Sequence, residues 1–139
     1  MRILLGSRRS AGPRAEGGSA AVEFVLVTPV LMFAVFVVVQ AALYMHARQV
    51  VLAAAQQGAR LARAAAPSDQ IAIEQARTGA LRYVAQLGPD VVSEPAVAVI
   101  RADGSAAVTV SARAVSILPG VPLRVHQRAT GPVERFRQP

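Results

Sequence analysis

The hydrophobic and polar positions divide this chain into a long apolar run, two amphipathic stretches and a set of alternating segments. Between residues 24 and 45 no charged side chain occurs. Val25, Leu26, Val27, Val30, Leu31, Phe33, Val35, Phe36, Val37, Val38 and Val39 carry the run. A helix of roughly 22 residues rises about 33 Å, enough to cross the hydrocarbon core of a bilayer. Residues of this kind contribute about −0.3 to −0.6 kcal/mol each to insertion, which outweighs Thr28, Pro29 and Gln40. The pattern predicts a transmembrane helix over residues 19–45. Pro29 is expected to bend it slightly. Gln40 either bonds to a partner span or lies near the outer interface, and Tyr44 reads as an interface anchor.

Beyond the run, Val50, Val51, Ala54, Gly58, Leu61, Ala62 and Ala65 recur at three- and four-residue intervals, with Gln49, Gln56, Gln57, Arg60 and Arg63 on the other side. This is the periodicity of a helix that continues into water, and Pro67 ends it. Its small residues admit a close neighbour, most simply the protein's own sheet. Ser68 or Asp69 caps a second helix to about Leu87, with Ile71, Ile73, Ala76, Ala80, Leu81, Val84, Ala85 and Leu87 as its apolar stripe. Gly88-Pro89 stops it.

The remainder alternates with period two. Residues 96–101 and 106–115 flank Asp103-Gly104, a strong hairpin signal. Val108, Val110, Ala112 and Ala114 fall on one face of the second strand, and residues 123–129 supply a third. Helix, helix, then strands predicts an α+β fold with a small antiparallel sheet of about three strands.

Composition refines this picture. The 139 residues allow one small domain besides the span. Residues 1–18 hold Arg2, Arg8, Arg9 and Arg14 against the single acid Glu16, which reads as a basic cytoplasmic leader. The domain at 46–130 is then extracytoplasmic, and 131–139 reads as a flexible tail. A secretory signal peptide fits less well: its apolar core is about 7–15 residues, followed by a small-x-small site, and Tyr44-Met45-His46-Ala47-Arg48-Gln49 offers none. The formal net charge of +7 is scattered, with few aromatics and no Trp, which argues against nucleic acid. There are no cysteines and two distant histidines, His46 and His126. No nucleophile–base pair, metal-ligand spacing or phosphate loop is visible. No catalytic, cofactor or small-molecule site is expected.

Chemistry concentrates at the start of the span. A carboxylate at a bilayer edge is costly unless paired, and Glu23 sits there. Gly18, lacking Cβ, lets a protease approach the backbone. Cleavage between Gly18 and Ser19 would create an α-ammonium about one helical turn from Glu23, or beside the Glu23 of a neighbouring subunit.

The segment Glu16-Gly17-Gly18-Ser19-Ala20-Ala21-Val22-Glu23-Phe24-Val25-Leu26-Val27-Thr28-Pro29-Val30-Leu31 resembles the opening of TadE-like proteins of the tight-adherence (Flp pilus) system, and the prepilin motif of type IVb pilins and pseudopilins. Residues 49–60, ending Gly58-Ala59-Arg60, are similar to the same family. The resemblance covers about residues 16–65. It implies a non-enzymatic, single-pass membrane pseudopilin, minor pilin or assembly factor. It implies cleavage after Gly18 by a prepilin peptidase, with Glu23 needed for processing and subunit packing. The partners it implies are that peptidase, other pilins or pseudopilins, and the Tad membrane platform. Phe24 stands where many Flp-type pilins have Tyr. The alternative is an uncleaved, membrane-anchored envelope scaffold or sensor.

Overall fold

A computed structural model describes residues 16–118 and 120–134. The leader expected at 1–18 lies outside that range up to residue 15, and the tail expected at 131–139 lies outside it from residue 135. The element order is α1 (Glu16–Arg63), α2 (Asp69–Leu87), β1 (Val92–Ala102), β2 (Ser105–Ala114) and β3 (Leu123–Pro132). This is the expected α+β arrangement, with the expected three strands. The chain divides into two compact units at Val35/Phe36.

In the first unit, α1 carries its apolar residues in the open. Phe24, Val25, Leu26 and Val27 are consecutive and all exposed. At 100° per residue, four such neighbours cover the whole circumference, so the helix is apolar all round. Pro29 lies inside the helix and contributes no N–H. One turn back, the Thr28 hydroxyl donates to the Phe24 carbonyl at 2.7 Å, a local bond that serves the backbone without water.

The second unit is built on small side chains. The second half of α1 buries Ala47, Val50, Val51, Ala54, Ala55, Ala59 and Ala62. Leu61 is half-buried and Ala65 lies past the end of α1 at Arg63 and is exposed, whereas Val50, Val51, Ala54 and Ala62 are where the sequence placed them. Opposite them, α2 buries Ala72, Ala76, Ala80 and Val84. The stripe predicted for α2 is therefore shifted. Ile71 and Leu87 are exposed, and the spine is a strict i, i+4 row that begins at Ala72. The reason is closeness: a methyl added at Gly58 would lie 3.2 Å from Ala80 Cβ and 3.3 Å from the Ala76 carbonyl. No long side chain fits at Ala76 or Ala80, so alanine takes those inner positions.

The caps follow the sequence. The Ser68 hydroxyl accepts from the Ile71 N–H at 3.3 Å and starts α2. Gly88 ends it with its N–H on the Val84 carbonyl at 2.8 Å. Gly88 has φ −129°, not a left-handed value. Its glycine serves close approach, because a Cβ there would meet Val50 at 2.9 Å and Val92 at 3.0 Å.

The sheet is antiparallel in the order β1-β2-β3. Asp103 and Gly104 both take positive φ, 50° and 72°, as a tight primed turn demands. On β2, Ala106, Val108, Val110, Ala112 and Ala114 are buried, the alternation read from the sequence. β1 begins at Val92, earlier than expected, and its pairing with β2 shifts between Ser93 and Ala96. Glu94 there has φ 51° and Pro95 follows, a bulge on an edge strand where proline is tolerated. β3 runs past residue 129 to Pro132. After it, the Val133 N–H donates to the Gly104 carbonyl at 2.8 Å and the Glu134 N–H to the Arg63 carbonyl at 2.9 Å.

Candidate functional site

The residues expected to matter lie on α1. Its first residue is Glu16, so the Gly18–Ser19 peptide bond lies within the helix. Glu23 and Phe24 are exposed, and Phe24 keeps 72% of its surface open. Residues 19 and 23 are four apart on one helix and so share a face, about 6 Å apart along the axis. Among the described residues Glu23 has no cationic partner. An ammonium generated at residue 19 would supply one.

Further along, α1 carries a polar contact that the sequence did not place. Gln40 is only 7% exposed. Its Nε2 donates to the Val115 carbonyl at 3.3 Å. Its Oε1 accepts from the Ile117 N–H at 2.8 Å and from the Ser116 hydroxyl at 3.3 Å. The amide thus clamps the connection that follows β2. Of the two roles expected for it, the bond to a partner span gives way to a bond within the same chain. The signal was present: Gln40 is the one amide within residues 24–45. Its partner lies 77 residues away, which no local pattern reveals. Tyr44 is half-buried and packs on the core.

The remaining charges are dispersed. Arg101 faces inward from β1 with its side chain 8% exposed, and its Nε lies 3.2 Å from Asp69 Oδ1. Its Nη1 is buried without an acceptor among the described residues. On the outer face of the sheet, Arg113 Nη2 lies 3.3 Å from Glu94 Oε2, so the bulge residue is held by an ion pair. His46 and His126 are both exposed. Among the described residues no cluster of His, Cys, Asp or Glu is arranged to hold a metal ion.

The long exposed helix with its early acid is the feature on which comparison with known proteins turns. Residues 18–60 match the TadE-like protein family. The matched stretch runs from the glycine of the predicted cleavage motif to Arg60, within α1. The match agrees with the resemblance read from residues 16–65. The TadE-like family is one of pilus-assembly components. Among the curated proteins and the solved structures, none matches the chain. The TadE-like match ends before α2 and the sheet, so those elements are described by geometry alone. α1 from Ala21 is long and apolar enough to cross a membrane.

Proposed function

We propose that this protein is a single-pass membrane pseudopilin-like component of a Flp/Tad-type pilus or related secretion apparatus. Its N-terminus would be cytoplasmic and its α+β domain extracytoplasmic. The observation that carries the reading is Glu23, an exposed acid at the head of an all-apolar helix, inside a stretch that matches TadE-like proteins. A carboxylate in that position calls for a cation. A prepilin peptidase cutting after Gly18 would provide one at Ser19, on the same chain or on its neighbour. Helices paired in this way would associate side by side in the membrane, and the outer domains would dock afterwards. In this reading the chain performs no chemistry of its own.

The second reading, an uncleaved envelope scaffold or sensor, draws on the placement of the Gly18–Ser19 bond within α1. A protease needs an extended backbone at the bond it cuts. Gly17 and Gly18 weaken the first turn by about 1 kcal/mol each relative to alanine, so local unwinding remains accessible. Mass spectrometry of the mature protein, in cells with and without the peptidase, separates the two. A chain beginning at Ser19 only where the peptidase is present supports the first reading. Met1 retained in both supports the second.

A further inference from the structure

We infer that the connection after β2 is a second membrane contact, lying in the headgroup region of the extracytoplasmic leaflet beside the helix. The inference rests on the proposed transmembrane reading of α1. Two independent observations within the second unit lead to it.

The first is position. Phe36, Val37, Val38 and Val39 are exposed on α1, and from residue 21 onward Gln40 is the first residue of α1 to be buried. The clamp at Gln40 therefore fixes residues 115–117 at the level where bare apolar helix gives way to packed domain. At that level Val115 and Ile117 are 39% and 41% exposed. Apolar side chains held beside the end of a spanning segment are continuous with its lipid-facing surface.

The second is the state of the backbone. A surface connection ordinarily leaves its N–H and C=O groups to water, and that is costly where water is scarce. Here those of Val115 and Leu118, and the N–H of Ile117, are paired internally. The Val115 N–H donates to the Val91 carbonyl at 2.9 Å, and the Val115 carbonyl accepts from Gln40. The Ile117 N–H is taken by Gln40. Ser116 Oγ donates to the Leu118 carbonyl at 3.0 Å and accepts from the Leu118 N–H at 3.2 Å. A segment with backbone groups at Val115, Ile117 and Leu118 paired within the protein and apolar side chains exposed suits the boundary between headgroups and acyl chains, where apolar faces sink about 5–10 Å.

The chain has no cysteine, so single-cysteine variants carry one fluorophore each. Full-length Ile117→Cys, Val38→Cys and Ile100→Cys would be labelled and reconstituted into phosphatidylcholine–phosphatidylglycerol vesicles. All three sites are exposed, and Ile100 lies on the outer sheet face. Emission is then read against iodide in the water and against nitroxide lipids labelled at shallow and deep carbons. The expected result is loss of emission to the shallow nitroxide at both Ile117 and Val38, which lies two residues (about 3 Å) along α1 from Gln40, and to iodide alone at Ile100. If Ile117 responds like Ile100 while Val38 responds to lipid, the loop contact is wrong and the span stands. If Ile117 is shielded from both quenchers, protein covers it and the inference is overturned. If Val38 is also untouched by lipid quenchers, the transmembrane reading falls with it.

Discussion

Gly58 on α1 faces Val108 on β2 so closely that a methyl group at position 58 would lie 3.0 Å from Val108 Cγ1. The same methyl would lie 3.2 Å from Ala80 Cβ on α2. Helix, helix and sheet meet at this glycine, and neither neighbour is the far end of a flexible chain. Gly58→Ala raises helix propensity by about 1 kcal/mol, but crowding on two elements is expected to outweigh that. Net destabilisation of about 1 kcal/mol is predicted, rising to about 3 kcal/mol for Gly58→Leu. Urea titration in detergent, followed by circular dichroism, checks both. In a double-mutant cycle Val108→Ala should soften the penalty of Gly58→Ala, because the two share one volume.

Loss of the Gln40 amide should act on the segment it holds. Gln40→Leu leaves the Ile117 N–H without its acceptor, at a cost of about 1–3 kcal/mol. Gln40→Glu keeps an acceptor for Ile117 but loses the donor to Val115. Hydrogen exchange at Ile117 is expected to speed up strongly in the leucine variant and less in the glutamate variant. Exchange at Val110, in the middle of β2, should change little.

At the hairpin, Gly104 has φ 72° and nothing near its would-be Cβ. Gly104→Ala therefore pays only for the left-handed backbone, about 1 kcal/mol. Gly104→Asn should cost less, since asparagine tolerates that region. Thermal unfolding of the three proteins is expected to rank glycine, asparagine, alanine.

The Arg101–Asp69 pair should respond unequally to its two halves. Arg101 is buried with a nitrogen lacking an acceptor among the described residues, whereas Asp69 is 75% exposed. Replacing Arg101 with Met removes a poorly satisfied buried cation and is expected to be neutral or stabilising. Asp69→Asn leaves that cation with less compensation and should destabilise. Midpoints of chemical denaturation decide the order.

Within the proposed function, Glu23→Gln keeps the shape of the side chain and removes its charge. Membrane insertion is expected to persist, since the apolar run is untouched. Pilus assembly should fall sharply. A variant that assembles normally would remove the argument from charge pairing.

Local chemistry made much of this fold legible. Asp103-Gly104 between two alternating runs announced the hairpin, Ser68 the start of α2, and Val108 and Val110 the buried face of β2. The register of the α2 spine was not legible, because bulk favours Ile71 for the interior, whereas the close approach of Gly58 to Ala76 and Ala80 sets alanines against α1. The bulge at Glu94 was hidden too: Pro95 suggests an irregular edge, but the pairing shift depends on β2. At the candidate site, Glu23 and Gly18 stood out from the sequence because a charge and a glycine beside an apolar run are conspicuous. The destination of the Gln40 side chain was hidden, since hydrogen bonds between distant segments leave no periodic trace.

The hydrogen bond from Glu134 to Arg63 sets an address for whatever is attached behind it. Gln40 and Arg63 are separated by 23 steps of one helix, about 34 Å. A reporter protein fused after Glu134 would begin its path beside Arg63, that far along α1 from the clamp and from the lipid contact inferred there. Such fusions are a practical handle, because bulk placed there sits about 34 Å along α1 from the clamp at Gln40.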